Sequence, residues 1–230
     1  MKAKKIVVHS REFDREAHAD LMEVGQSPSS TMVVLFGGSG INEEEYTRRS
    51  KSRIQVLDNE LLALERRGLS LRFAYVTAPY DLPLVTLNQE AVAIKWRSHV
   101  LNELLPELNS RRSFLAGFSG GIRLAFSGLE QSANCIGGAA IAPDGFPRPE
   151  TWEKPRTWRY PLMVFTGTRD LVFQKPAAMQ PFRTLAGRGQ ANLFSVPDAV
   201  HQLAAYREAV GRVFALAAAE FGEPRSVGHS

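Results

Sequence analysis

The sequence predicts an α/β protein built on a mostly parallel, eight-stranded sheet with helices on both faces. Apolar runs typical of strands alternate along the chain with stretches in which apolar residues recur at helical spacing. Such alternation is typical of a sheet whose strands are joined by crossover helices. Segments 4–13 and 17–25 follow each other with no helical stretch between them, and they predict an antiparallel hairpin at the start of the sheet.

Six further strands are predicted after the hairpin. The first of them, residues 31–40, reads as a continuous apolar run that ends in glycines, as expected for a strand buried on both faces. The others are recognised in the same way, as short apolar runs bounded by turn residues. They lie within residues 69–79, 113–119, 135–143, 161–170 and 191–201.

Helices are predicted between these strands. Asn42 and Glu45 form a capping-box pattern that opens the first, and Gly68 stands where its C-terminal cap is expected. Its apolar stripe consists of Ile54, Leu57, Leu61 and Leu64. A second stripe, within residues 87–109, consists of Val92, Trp96, Val100 and Leu104. Three more helices are predicted at 120–131, 176–185 and 203–221.

The bulk composition predicts one globular domain. The chain has 230 residues, of which 44% are hydrophobic and 23% are charged, which is enough to bury a substantial core. No internal repeat or low-complexity linker divides it. We therefore expect a single domain over residues 1–222, followed by a disordered tail at 223–230.

Charge and cysteine content exclude several classes of function. The formal net charge is +4, and the densest basic cluster, Thr47–Arg53, is interpreted as a solvated helix face, so no nucleic-acid partner is expected. The single cysteine, Cys135, excludes an intramolecular disulfide and a cysteine-based metal motif, and its apolar surroundings predict a core residue. We expect no metal and no other cofactor.

The amino-terminal sequence does not have the pattern of a signal peptide. The first apolar run, Ile6–Val8, is far shorter than the about 7–15 residues of a signal-peptide core. No stretch approaches the about 18 apolar residues of a membrane span. A cytoplasmic protein without a membrane span is therefore expected.

The residues that follow the predicted strands include a serine, carboxylates and a histidine. In an open parallel sheet, functional groups gather at the carboxyl ends of the strands. Ser119 follows one strand, Asp170 a later one, and His201 the last. A nucleophilic hydroxyl needs a base to take its proton, and the base needs an acidic partner that orients it.

The stretch Gly117-Phe118-Ser119-Gly120-Gly121, between a predicted strand and a predicted helix, resembles the G-x-S-x-G nucleophile elbow of the α/β-hydrolase superfamily. The serine of such an elbow has strained backbone angles, and side chains at the flanking glycines would collide across the turn. The resemblance covers nearly the whole chain. It implies the α/β-hydrolase fold and a small, cap-less serine carboxylesterase or thioesterase-like enzyme.

The resemblance also implies catalytic roles. Ser119 would be the nucleophile, Asp170 the acid and His201 the base, in the superfamily's chain order. Asp144, one strand before Asp170, is the alternative acid, whereas Asp198 lies too close to the histidine in the chain. The remaining histidines are interpreted as structural or exposed; they are His9, His18, His99 and His229.

The resemblance further implies an oxyanion hole made of two backbone N–H groups. Gly120 would supply one. Gly38 would supply the other, with Ser39 as the near alternative. Many members have a histidine where this chain has Phe36, so the identity of the second donor stays open.

The segment that could cover the site is short. Residues 144–160 contain three prolines and two tryptophans and show no helical periodicity, so they predict an open site without a full lid domain. Each candidate substrate-binding side chain has core or loop packing as its alternative role, and Trp158 is interpreted as packing. The candidates are Phe36, Ser39, Tyr80, Phe118, Trp152 and Phe173.

The predicted function is hydrolysis of carboxylic esters through an acyl-enzyme, and the expected partner is a small-molecule ester or thioester substrate. Thioesterase or acyltransferase activity is an alternative. So is a non-hydrolytic lyase, cyclase or cofactor-free oxygenase that acts on a biosynthetic intermediate. A binding protein without turnover is disfavoured by the complete set of serine, acid and base, and a dehalogenase by serine at the elbow. The oligomeric state, a homodimer included, stays open.

Overall fold

Eight strands form a single sheet in the order β1-β2-β4-β3-β5-β6-β7-β8. The computed structural model describes residues 2–25, 31–37, 57–76, 90–171 and 176–221. The strands are β1 (Lys2–Ser10), β2 (Arg15–Val24), β3 (Thr31–Phe36), β4 (Leu71–Val76), β5 (Arg112–Phe118), β6 (Cys135–Ile141), β7 (Leu162–Gly167) and β8 (Ala191–Val196).

The pairing of these strands confirms the predicted sheet. β1 and β2 form an antiparallel hairpin, and β2 runs antiparallel to β4. The six strands from β3 to β8 are parallel to one another. Their carboxyl ends consequently lie along one edge of the sheet, where the loops after β5, β7 and β8 can meet.

Helices connect the parallel strands. Among the described residues, 57–66 form α1. α2 (Glu90–His99) continues through a π-helical segment (Val100–Leu104) into α3 (Leu105–Glu107). The remaining helices are α4 (Gly121–Ala125), α5 (Pro176–Gly187) and α6 (Arg207–Phe221), with 3₁₀ turns at Leu129–Gln131 and Leu203–Tyr206.

The predicted helix at 120–131 is wrong in length, because α4 ends at Ala125. Ser127 Oγ donates a hydrogen bond to Leu124 O at 3.2 Å, and Gly128 follows in the left-handed region at φ +112°. A side-chain hydroxyl that bonds to a nearby carbonyl and a left-handed glycine both typically end a helix. Only a 3₁₀ turn follows them.

The core forms two layers, one on each face of the sheet. β3 is buried along its whole length, and successive residues of a strand point to opposite faces. Val34 packs in the layer that contains Trp96 of α2, whereas Leu35 packs in the layer that contains Phe214 of α6. Helices therefore cover both faces of the sheet, as predicted.

Several predicted features lie outside the described residues. They are the capping pair Asn42 and Glu45, the basic cluster Thr47–Arg53 and the tail at 223–230. Within the described residues, no helix combines the length and the apolarity that crossing a membrane requires.

Candidate active site

Ser119 occupies a tight turn directly after β5. Its backbone lies in the left-handed region at φ +53°, which is uncommon for residues other than glycine. Ser119 N donates to Ile141 O at the end of β6 (3.0 Å), and Ile122 N donates to Ser119 O (3.1 Å). These bonds hold the serine between the end of β5 and the start of α4, as the sequence predicted for an elbow.

The glycines of this turn are required by close backbone contacts. A Cβ atom at Gly117 would lie 2.5 Å from Ile122 Cα, nearer than real Cβ atoms approach other atoms. A Cβ atom at Gly121 would overlap the carbonyl oxygen of Phe36 at the end of β3. α4 can therefore begin directly behind the serine only because both positions lack a side chain.

The structure brings Ser119, His201 and Asp170 together through two hydrogen bonds. Ser119 Oγ lies 2.9 Å from His201 Nε2, and His201 Nδ1 lies 2.9 Å from Asp170 Oδ2. Because a carboxylate only accepts, Nδ1 carries the proton and donates to Asp170, and Nε2 can then accept from the serine hydroxyl. The Asp170 side chain is fully buried, whereas that of His201 is 30% exposed.

The loops that carry Asp170 and His201 are tied to each other. Thr168 N donates to Val196 O and Arg169 N to Ala199 O, both at 3.1 Å. Asp198 N donates to Thr168 Oγ1 at 2.8 Å. These bonds continue the β7–β8 pairing beyond the strands, so the acid and the histidine approach each other from adjacent strand ends.

Tyr206 is a member of the site that sequence reasoning missed. Its hydroxyl donates to Asp170 Oδ2 at 2.8 Å, and its side chain is fully buried. Burial raises the pKa of the Tyr206 phenol far above its usual value, and the hydrogen bond to Asp170 raises it further. Tyr206 ends the 3₁₀ turn before α6, where the sequence offers only a helix start and no sign of a polar partner.

The alternative acid lies elsewhere in the structure. Asp144 Oδ1 is 3.7 Å from Arg123 Nε of α4, an ion pair without hydrogen-bond geometry. Asp198 is exposed and has φ +54°. Among the described carboxylates, the one that hydrogen-bonds to His201 is Asp170.

The predicted oxyanion donors can be located only in part. Gly120, directly after the serine, forms the N-terminal cap of α4 at φ −58° and ψ −19°. Gly37 N donates to Val76 O at 2.9 Å, which extends the β3–β4 pairing. The other predicted site residues, Gly38, Ser39, Tyr80 and Phe173, lie outside the described part of the chain.

Three predicted substrate-binding aromatic residues have different surroundings. The ring of Phe118 lies 5.6 Å from the His201 ring, and its residue is 6% exposed. The Phe36 side chain has no exposed surface and packs 6.1 Å from Trp96 in the core. Trp152 is 5% exposed and packs 6.0 Å from Trp158, which is buried as predicted.

Residues 144–160 contain no helix or strand. Their aromatic side chains pack against each other and onto the core: the ring of Phe146 lies 5.3 Å from Trp152 and 5.6 Å from Phe182 of α5. Thr157 Oγ1 donates to Cys135 O at the start of β6 (2.8 Å). The segment therefore runs along one face of the sheet towards the amino ends of the strands.

Among the residues that the structure describes, no group of three or more His, Cys, Asp or Glu side chains is placed to hold a metal ion.

Comparison with known proteins gives structural neighbours only. No protein-family model matches the sequence, and no curated protein matches it. The enterobactin esterase of Shigella flexneri is 17% identical, with a TM-score of 0.64, and the match covers 92% of this chain. This chain spans 58% of that esterase.

Two further neighbours match over most of both chains. An S-formylglutathione hydrolase from Agrobacterium tumefaciens is 14% identical, with a TM-score of 0.62, and the match covers 94% of this chain and 95% of that one. A feruloyl esterase module from Clostridium thermocellum is 12% identical, with a TM-score of 0.64, and the match covers 97% and 90%. The mostly parallel eight-stranded sheet and these neighbours together show that the chain has the α/β-hydrolase fold.

Proposed function

We propose that the protein is a serine hydrolase that cleaves carboxylic esters through an acyl-enzyme, with Ser119, His201 and Asp170 as its catalytic residues. The observation that carries this proposal is the pair of 2.9 Å contacts that His201 makes, through Nε2 to Ser119 Oγ and through Nδ1 to Asp170 Oδ2. A hydroxyl bonded to a base that an acid orients is the arrangement that activates a serine.

The first half of the reaction transfers the acyl group to the enzyme. Ser119 Oγ attacks the carbonyl carbon of the ester, the carbonyl π electrons move onto its oxygen, and the hydroxyl proton passes to His201 Nε2. Asp170 stabilises the imidazolium by accepting from Nδ1. When the tetrahedral intermediate collapses, the bond to the leaving alkoxide breaks and His201 gives that oxygen its proton.

The second half releases the acid. A water molecule attacks the acyl carbon, and His201 Nε2 takes a proton from this water. The bond between this carbon and Ser119 Oγ then breaks, and the proton returns to the serine. The 30% exposure of the His201 side chain supports access of water and of a small substrate.

The oxygen that becomes negative in each half needs hydrogen-bond donors. We assign Gly120 N–H as one donor, since it follows the serine at the N-terminal end of α4. Gly38, or its neighbour Ser39, is proposed for the second, since both follow β3 in the sequence and the carbonyl oxygen of Phe36, at the end of β3, lies against Gly121 of the turn. Loss of one such donor typically lowers kcat by about 10²–10³-fold.

The structural neighbours support ester cleavage in particular. Two of the three reported above are described as esterases and the other as an S-formylglutathione hydrolase. Phe118, beside the His201 ring, is the described aromatic residue best placed to border the substrate. Tyr80 and Phe173 remain proposed substrate-binding residues.

A fluorophosphonate probe tests the proposal. We expect it to label the wild-type protein and not Ser119→Ala, while circular dichroism shows that both are folded. Ser110→Ala is the matched control, because Ser110 precedes β5 at the opposite end of the strand and bonds to Arg112 O (3.0 Å). A folded wild-type protein that stays unlabelled, or labelling that persists in Ser119→Ala, would contradict the proposal. Aryl esters and acyl thioesters of graded chain length then define the substrate class.

A further inference from the structure

One oxygen of Asp170 accepts two hydrogen bonds. His201 Nδ1 lies 2.9 Å from Oδ2, and the Tyr206 hydroxyl lies 2.8 Å from the same atom. The proposed mechanism uses the first contact and gives no role to the second. Since both donors share one oxygen, the tyrosine acts on the atom that faces the histidine.

We propose that Tyr206 is a positioning residue that fixes the Asp170 carboxylate and limits how strongly it attracts a proton onto His201; this inference rests on the proposed hydrolase function. A donor to Oδ2 withdraws negative charge from that oxygen and favours one rotamer of the carboxylate. Tyr206 therefore acts through Asp170 and does not itself contact the substrate.

The chemistry of the pair requires the tyrosine to donate. Asp170 is fully buried, and a buried carboxylate is costly unless hydrogen bonds satisfy it. An ionised carboxylate can only accept, so the phenol supplies the hydrogen. Because burial raises the pKa of Tyr206, the phenol keeps that hydrogen throughout the neutral range.

The tyrosine hydroxyl lies close to the backbone at the end of β7. A Cβ atom at Gly167, the last residue of β7, would lie 2.5 Å from the Tyr206 hydroxyl oxygen and would overlap Ala199 O. The hydroxyl thus passes over the end of β7 at a position where only glycine leaves room. The Tyr206 ring packs edge-on against Phe118, with centroids 6.2 Å apart.

A positioning role and a purely structural role differ in their effect on His201. If the tyrosine only satisfies a buried carboxylate, its loss lowers stability and leaves the histidine unchanged. If the tyrosine withdraws negative charge from Oδ2, loss of its hydroxyl leaves more negative charge beside Nδ1. The imidazole then takes up a proton at higher pH. Asp170 is the charged group that hydrogen-bonds to the ring, and Tyr206 is the titratable group behind it.

Tyr206→Phe tests this difference, because it removes the hydroxyl and keeps the ring. We follow the His201 ring by NMR titration of histidine-labelled protein and measure kcat and KM with an aryl ester across pH. We expect the His201 titration midpoint, and the acid limb of kcat/KM, to move up by about half to one pH unit. We also expect kcat to fall by about tenfold, because a hydrogen bond to the charged carboxylate that orients His201 is lost, with KM within about twofold.

Tyr160→Phe is the matched control. Tyr160 precedes β7 at the edge of the sheet opposite Ser119, so its loss should leave both the titration and kcat unchanged. Replacement of Tyr206 by 3-fluorotyrosine is a second test that does not depend on Tyr206→Phe folding. A fluorinated phenol is a stronger donor and should move the His201 midpoint downward.

Two outcomes would overturn the inference. One is an unchanged His201 titration in Tyr206→Phe, even if the melting temperature falls, and the other is a 3-fluorotyrosine shift in the same direction as the phenylalanine shift. The titration is independent of turnover. If the wild-type protein neither reacts with the probe nor cleaves esters, the proposed function fails, and the NMR result still decides whether Tyr206 controls His201.

Discussion

The ring of Phe118 lies 5.6 Å from the imidazole of His201, with the two planes inclined by 33°. Phe118 is the last residue of β5 and directly precedes Ser119. The same strand end therefore supplies the hydroxyl and one side of the surface against which the histidine rests. This contact links the position of the proposed base to that of the proposed nucleophile.

Phe118→Leu should weaken the placement of His201 without unfolding the protein. Leucine keeps most of the buried apolar volume at this position, so we expect less than about 1.5 kcal/mol of lost unfolding free energy. Loss of the ring contact, worth about 0.5–1.5 kcal/mol, should lower kcat/KM by about two- to tenfold. Urea denaturation and aryl ester hydrolysis measure the two effects. An unchanged kcat/KM would show that the ring contact does not orient His201.

The identity of the acid gives a second prediction. Asp170→Asn keeps the shape of the side chain but cannot balance the charge of an imidazolium, so we expect kcat to fall by on the order of 10³–10⁴-fold. Asp144 pairs with Arg123 at 3.7 Å, and Asp144→Asn should change kcat by less than about threefold. Ester hydrolysis by the two purified variants decides between them. A larger loss in Asp144→Asn would assign the acid to the loop after β6.

The elbow glycines give a third prediction. A methyl group at Gly121 would overlap Phe36 O, so Gly121→Ala must shift the start of α4. We expect a loss of about 1–3 kcal/mol of unfolding free energy. Displacement of the serine by about 1 Å should lower kcat by about 10²-fold.

Gly187→Ala is its control, because a Cβ atom at Gly187, the last residue of α5, meets nothing within 4 Å. This variant should be neutral or more stable by up to about 1 kcal/mol. Thermal denaturation and probe labelling of both variants provide the measurement. Equal stability and equal labelling of the two would argue against a steric role for Gly121.

The elbow and the succession of strands along the chain could be predicted from the sequence for a physical reason. Backbone crowding at Gly117 and Gly121 excludes side chains. The turn therefore requires glycine at fixed spacing on either side of the serine, and this pattern is visible in the sequence. Apolar runs bounded by turn residues mark the strands in the same local way. Because the parallel strands carry their carboxyl ends to one edge, Ser119, Asp170 and His201 could be grouped before any contact was known.

Other features depend on contacts that no local pattern encodes. β3 is buried on both faces, so its residues show no alternation of polar and apolar side chains. The face of the sheet to which Phe36 points could therefore not be predicted from the sequence. Tyr206 reaches Asp170 from a later element across the end of β7, a contact set by tertiary packing. The early end of α4 depends on a hydroxyl bond at Ser127 that competes with the helix.

Cys135 gives the last prediction, on pH dependence. Burial raises the pKa of its thiol to about 12, from an ordinary value of 9.0, so the folded protein holds this proton more tightly than the unfolded chain. The stabilisation is complete below about pH 9 and is lost as the pH rises towards 12. A thiol reagent such as DTNB should therefore react slowly with the native protein at pH 8 and rapidly in urea, since the thiolate is the nucleophile. Rapid reaction of the native thiol would contradict its burial at the start of β6, and the alkaline loss of stability should be smaller in Cys135→Ala.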